Sequence, residues 1–222
     1  MPRSLRLEHA DAVYHVTSRG VQRAPIFVDD HDRKLLLKLV GRTLTAYRAR
    51  VLAYCLMGNH YHLVVHTRLP NLSALMQRLN SSYSQQFNHR HSRLGQVFGG
   101  RFKTFHVDRD EYLLAVCRYV DLNPVRAGLV CDPGEWDWSS YQAHTGLAPV
   151  PEWLATEALH DLLAGQPARK DAQVRMARRS YADWVAVGRG VRLWEESLRH
   201  GLYVGGDAFI ERTIAASGQG ES

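Results

Sequence analysis

Val51 to Thr67 reads VLAYCLMGNHYHLVVHT, and this stretch decides the architecture. VLAYCL (51–56) and HYHLVVHT (60–67) are rich in β-branched and aromatic residues, with the turn pair Gly58-Asn59 between them. Two such runs around a short turn predict an antiparallel hairpin. In a strand, residues i and i+2 share a face. His60 and His62 therefore project side by side, while Tyr61, Leu63 and Val65 face the opposite way, into a core. Two imidazoles two apart on a strand either share a metal ion or form a half-buried polar pair. The twelve histidines of the chain leave both readings open.

Elements on either side extend the pattern. AVYHVTS (12–18) reads as a strand ended by Arg19-Gly20. Asp29 to Tyr47 reads as a helix, capped by Asp29 or Asp30 and carrying an apolar stripe of Leu35, Leu36, Leu39 and Val40. Leu72 to His89 reads as a second helix, 91–100 as a glycine-containing loop, and RFKTFHV (101–107) as a basic-apolar strand. Asp108 to Asn123 reads as a third helix, closed by Pro124 because the residue before a proline avoids helical dihedrals. The first six elements run strand, helix, strand, strand, helix, strand. That order predicts an α+β fold: a ferredoxin-like antiparallel sheet with packed helices.

The texture changes after about residue 130. Trp136, Trp138 and Tyr141 cluster in an expected loop, and helices are expected near 151–164, 168–186, 191–200 and 207–215. Gly146 to Pro151 is the linker, dividing a domain of residues 1–145 from a helical C-terminal extension of residues 146–222.

Composition narrows the function classes. The 222 residues are 45% hydrophobic and 23% charged, which suits a folded globular chain. Lys and Arg number 28 against 22 Asp and Glu, a net charge of +6 that is compatible with a polyanionic partner. Cys55, Cys117 and Cys131 are odd in number and far apart, each near apolar residues, and read as buried reduced thiols rather than a disulfide framework. No uncharged apolar run approaches the roughly 18 residues of a membrane span, and MPRSLRLEHADAVYHV lacks a signal-peptide core, so a cytoplasmic protein with no membrane partner is expected.

A second chemical signal is Tyr119 with Asn123, four apart and so on one face of the expected third helix. Either Tyr119 is a core aromatic and Asn123 a helix-end residue, or the two join the histidines. Tyrosine can act as a covalent nucleophile. Its ordinary pKa of about 10 makes it weak at neutral pH without help. A divalent metal stabilises the charge that builds up during an in-line displacement at phosphorus. Two histidines and an amide oxygen would leave coordination positions open for substrate.

YCLMGNHYHLVVHT (54–67) resembles the HUH motif of single-tyrosine transposases, in which U is a bulky hydrophobic residue. RYVDLNPVRAGLV (118–130), YHVTSRGVQR (14–23) and GRFKTFHVDRDEYLL (100–114) resemble segments of their REP-associated branch, in the same order, across roughly residues 8 to 145. The resemblance implies an HUH nuclease fold that cleaves and rejoins single-stranded DNA next to short palindromic hairpins. It implies His60, His62 and Asn123 as ligands of Mg²⁺ or Mn²⁺, and Tyr119 as the nucleophile that forms a 5′-phosphotyrosine. Related insertion-sequence enzymes use glutamine where Asn123 stands, and the family's usual proline is Gly58 here. A monomer is expected, with a helix-exchanged homodimer as the other arrangement known among relatives. A hairpin-binding protein that no longer cuts, and a metallohydrolase using water, are the competing functions.

Arg19, Arg23, Arg101, Lys103, Arg118 and Arg126 fall at family-like positions for contacting DNA, either as phosphate ligands or as ordinary surface charge, and Gly20 beside Arg19 gives room for close approach of backbone to a ligand. Phe102, Phe105, Trp136 and Trp138 either stack on unpaired bases or pack in the core. The basic run Arg169, Lys170, Arg175, Arg178 and Arg179 either grips a hairpin or forms a solvated helix face.

Overall fold

A sheet with one histidine-bearing face needs helices on both sides, and the computed structural model supplies them. It describes residues 8–167, 170–190 and 203–218. The strands are β1 (Ala12–Arg19), β2 (Ala49–Leu56), β3 (His60–Thr67), β4 (Lys103–Val107) and β5 (Tyr203–Val204), and their spatial order is β2-β3-β1-β4-β5. The pairs β2–β3, β3–β1 and β1–β4 are antiparallel, the split βαβ arrangement that the element order implied. The two-residue β5 adds to β4 in parallel, so the sheet is mixed rather than wholly antiparallel.

Helices α1 (Asp30–Ala46) and α2 (Leu72–Arg90) cover one face. Asp29 caps α1, its Oδ1 accepting from Asp32 N at 3.2 Å. Leu36, Leu39 and Val40 of α1 and Leu75, Met76 and Leu79 of α2 close one core over Tyr14, Val16, Tyr61, Leu63 and Val65. The strict alternation of β3 produces this result: its odd residues enter the core and leave His60 and His62 on the other face.

That other face carries a second core. It is built on Val13, Val64 and Cys55 of the sheet, with Val116, Cys117 and Val120 of α3 (Leu113–Asp121). The expected helix over 108–123 is thus shorter at both ends. A turn occupies 108–112, where the Asp108 carboxylate accepts from Asp110 N at 3.1 Å. Past α3 the chain starts a separate four-residue helix, α4 (Asn123–Arg126), with Pro124 in its first turn, where a missing N–H costs nothing. Proline here opens a helix instead of merely closing one. Strand β4 likewise begins at Lys103, two residues later than the pattern suggested.

After α5 (Tyr141–Thr145) the chain turns at Gly146, whose φ of 80° favours glycine. Tyr141 opens this helix rather than lying in the loop with Trp136 and Trp138. The following segment docks on the outer edge of β2, Ala155 N donating to Val51 O at 2.9 Å. Then come α6 (Thr156–Ala164), α7 (Asp171–Val187) and, following β5, α8 (Asp207–Gly218). The helix expected at 191–200, and Arg169, lie outside the described residues. Cys55 and Cys117 are buried, whereas Cys131 is exposed: it follows α4 on a surface turn beyond the second core.

Helix α7 buttresses α3. Asp121 is fully buried at the end of α3 and accepts from the Ser140 hydroxyl at 2.6 Å and the Tyr181 hydroxyl at 2.7 Å. One turn earlier Arg118 lies over the Trp184 ring at 4.1 Å and donates to Trp184 O at 3.3 Å. A buried carboxyl is costly without donors, so these contacts fix α3 to α7. Tyr181→Phe removes one of the two hydroxyl donors and is expected to lower unfolding free energy by about 1–3 kcal/mol, read from urea denaturation; an unchanged midpoint would show that the contact does not hold α3.

Candidate active site

The site sits at the His60 end of β3, where β1 finishes. The β1–β3 register pairs Arg19 with His60 and Thr17 with His62, so these four side chains share the α3 face of the sheet. Lys103 of β4 stands opposite Thr17 from the other side. The His60 and His62 rings are 5.0 Å apart, nearly perpendicular. The Tyr119 ring of α3 lies 6.0 Å from the His62 ring, edge-on, and 5.9 Å from His15. The phenol and the imidazoles thus meet within one chain.

Both histidines have one nitrogen engaged. His60 Nδ1–H donates to Asn59 Oδ1 at 2.7 Å, and Asn59 is itself held by donating from Nδ2 to Arg23 O at 3.0 Å. With Nδ1 carrying the proton, the lone pair of His60 lies on Nε2. His62 Nδ1 faces His15 Nε2 at 2.9 Å and Thr17 Oγ1 at 3.2 Å. His62 Nε2 is buried and has no hydrogen-bond partner. A buried imidazole nitrogen left bare beside a second imidazole suits a cation. Burial, with Arg19 adding to it, lowers the His60 pKa to about 4. Burial also holds His62 well below its ordinary value, helped by His15, His60 and Arg19. Both rings are therefore neutral near pH 7, the form that ligates metals.

Asn123 lies beyond the end of α3, and its Nδ2 turns back to donate to Tyr119 O at 2.9 Å and Val120 O at 3.3 Å. Oδ1 is then the atom with which it would meet a cation. Among the described residues no group of three or more His, Cys, Asp and Glu side chains could hold a metal. The two imidazoles present neutral nitrogens side by side, and a cation held by them would keep coordination positions open for a phosphate or water.

Tyr119 is half-buried. Burial raises its pKa, while Arg126 and Arg19 pull it back down. Arg126, on α4, places its guanidinium 5.0 Å from the centre of the Tyr119 ring. Arg19, Arg23, Arg101 and Lys103 are exposed around this end of the sheet, where Gly99 N donates to Arg19 O at 3.0 Å and joins the 91–102 loop to β1. Arg118 differs: it is buried, with its guanidinium taken up by α7. Phe102 is buried and Trp138 packs against the first core, with Arg33 5.4 Å from its ring centre. Trp136 donates to Leu56 O at 3.2 Å. Phe105 stacks 6.1 Å from His15 on the site face.

Three residues at the site were not picked out from sequence. Asn59 counted only as a turn residue, and Thr17 and His15 only as strand residues. Period-two parity was the available signal: His15, Thr17 and Arg19 alternate onto one face of β1 as His60 and His62 do on β3.

The fold is that of a known protein class. A solved structure described as a REP-associated tyrosine transposase bound to a REP hairpin superposes with a TM-score of 0.56, at 16% identity, over 68% of this chain and 89% of that one. At this identity the likeness speaks for the fold. Residues 9–123, more than half of the chain, match the family described as "Transposase IS200 like", and the chain belongs to this family. No curated protein matches the chain.

Gly20 is required by the chain's own backbone. A Cβ there would stand 2.0 Å from Ala24 O, and Gly20 N donates to Asn59 O at 2.8 Å, tying the turn after β1 to the residue that holds His60. Gly20→Ala is expected to cost about 1–3 kcal/mol of stability, measured by chemical denaturation; a neutral substitution would mean that the turn at 20–24 is not fixed as described.

Proposed function

We propose that the chain is a REP-associated type of single-tyrosine HUH transposase, which nicks and rejoins single-stranded DNA beside short palindromic hairpins. One observation carries this reading: the Tyr119 ring lies 6.0 Å from the His62 ring, with His60 next to it, in the same chain. Family membership supports the reaction class, and the similar fold of a hairpin-bound transposase supports the substrate.

In the proposed reaction Tyr119 Oη bonds to the scissile phosphorus and loses its proton. The bond from phosphorus to the 3′ oxygen breaks, and that oxygen leaves as a 3′-hydroxyl after taking up a proton. A 5′-phosphotyrosine results. It keeps a phosphodiester, so a free 3′-hydroxyl of another end can displace the tyrosine and rejoin the strand. His60 Nε2, His62 Nε2 and Asn123 Oδ1 would hold a divalent metal, Mg²⁺ or Mn²⁺, which when bound polarises the phosphate oxygens. The remaining positive charge comes from the chain. Arg126 over the phenol, and Arg19 beside His60, face the place where negative charge develops. Arg19, Gly20, Arg23, Arg101 and Lys103 form the proposed path for the strand's phosphates, with Arg126 at the nucleophile. Arg118 serves this path by fixing α3.

Residues 1–145 constitute the catalytic domain in this reading, and 146–222 a helical extension that braces α3 through Tyr181 and Trp184. With the tyrosine and the histidines meeting in one chain, the enzyme acts as a monomer. The proposed substrate, DNA, places the action in the cytoplasm; among the described residues no helix is long and apolar enough to cross a membrane.

The test uses a single-stranded oligonucleotide carrying a hairpin, with Mn²⁺ or Mg²⁺. Wild-type protein should form a covalent protein–DNA adduct stable to denaturing electrophoresis. Tyr119→Phe should form none while binding the oligonucleotide within about twofold of wild type, because it lacks only the nucleophilic oxygen. An undiminished adduct from Tyr119→Phe overturns the assignment.

A further inference from the structure

The two nitrogens of His62 have opposite surroundings. Nδ1 has two neighbours within hydrogen-bond distance, His15 Nε2 and Thr17 Oγ1, whereas the buried Nε2 has none. The His15 and His62 rings stack with centroids 5.1 Å apart and planes 9° from parallel. His15 is 4% exposed, on the central strand of the sheet, and Phe105 stacks beyond it at 6.1 Å. A residue this enclosed has few rotamers available, so its Nε2 is a fixed point.

We infer that His15 is a positioning residue for the cation site: its Nε2 accepts the Nδ1–H of His62 and so directs the lone pair of His62 Nε2 at the metal. This assignment rests on the metal-binding reading of His60 and His62 given above. The physical reason is tautomer control. A neutral imidazole carries one proton and one lone pair, and the nitrogen that donates decides which one ligates. With Nδ1 donating, Nε2 must present its lone pair. Ligating histidines are commonly oriented by an acceptor on the other nitrogen, and loss of that acceptor typically weakens metal affinity about 10- to 100-fold. The usual acceptor is a carboxylate or a carbonyl. On the His62 side a second imidazole takes that place and keeps the site free of added negative charge, which favours approach of a phosphate. Asn59 performs the equivalent function for His60 from the turn.

Mn²⁺ binding to the full chain, by isothermal titration calorimetry without DNA, tests this inference. Glutamine can place an amide oxygen near the position of His15 Nε2; asparagine is too short, and leucine has no acceptor. His15→Gln should bind Mn²⁺ within about threefold of wild type, while His15→Asn and His15→Leu should lose about 10- to 100-fold. Circular dichroism melting identifies the folded variants, and the Gln–Asn contrast stands even if the leucine variant fails to fold. Equal Mn²⁺ affinity in the glutamine and asparagine variants, both at the wild-type level, overturns the role of His15 while leaving the metal site intact. Absence of saturable Mn²⁺ binding in wild type, or its persistence in His60→Ala, overturns the metal-site reading and this inference with it.

Discussion

The antiparallel pairing of β1 with β3 is the constraint on which the site depends. Its register sets Thr17 opposite His62 and Arg19 opposite His60, and brings His15 diagonally against His62. Side chains alternate along a strand, so a slip of one residue would send the imidazoles into the α1–α2 core and Tyr61, Leu63 and Val65 outward. The register is held by what that slip would cost. Tyr61, Leu63 and Val65 are almost wholly buried, and each fully buried side chain of this size contributes about 1.5–3 kcal/mol. The apolar half of the strand thereby locates the polar half.

Helix α3 then has to meet this face at a set depth and rotation. One side, Val116, Cys117 and Val120, packs into the second core and sets the depth. The far end is fixed by Asp121 accepting from Ser140 and Tyr181, and by Arg118 lying over Trp184, so that α7 sets the rotation. Tyr119 lies between these anchors and faces the histidines. Arg118, at the start of the RYVDLNPVR segment (118–126), therefore serves the packing, and the arginine at its end, Arg126, reaches the phenol. Two arginines in one motif have different functions because α3 ends at Asp121 and α4 begins anew at Asn123.

Much of this was legible in the sequence where one periodicity ran without interruption. The hairpin 51–67, the helices over 30–46 and 72–90, and the split βαβ order all follow from apolar spacing, and the observed ends differ by a residue or two. The convergence of His60, His62 and Tyr119 was expected from motif resemblance, since spacing alone relates no residue to another 57 positions away. What escaped depended on tertiary contact. The α3–α4 break arises where Asn123 folds back onto Tyr119 O, a local competition that a helical period does not register. Apolar neighbours in sequence placed Cys131 in a core, but the turn after α4 exposes it. Gly20 was read as making room for a ligand, and the atom that requires the room is Ala24 O. His15 was hidden among ordinary strand residues until β1 and β3 were paired.

The central claim is that Tyr119 itself becomes bonded to DNA, and mass spectrometry of the trapped complex tests it most directly. After incubation with a hairpin-bearing single strand and Mn²⁺, nuclease trimming and trypsin would release the peptide Tyr119–Arg126. The account predicts that this peptide carries a nucleotide attached through a 5′ phosphate to the tyrosine. Cleaved DNA together with an unmodified Tyr119–Arg126 peptide, or with the nucleotide on any other residue, would contradict it.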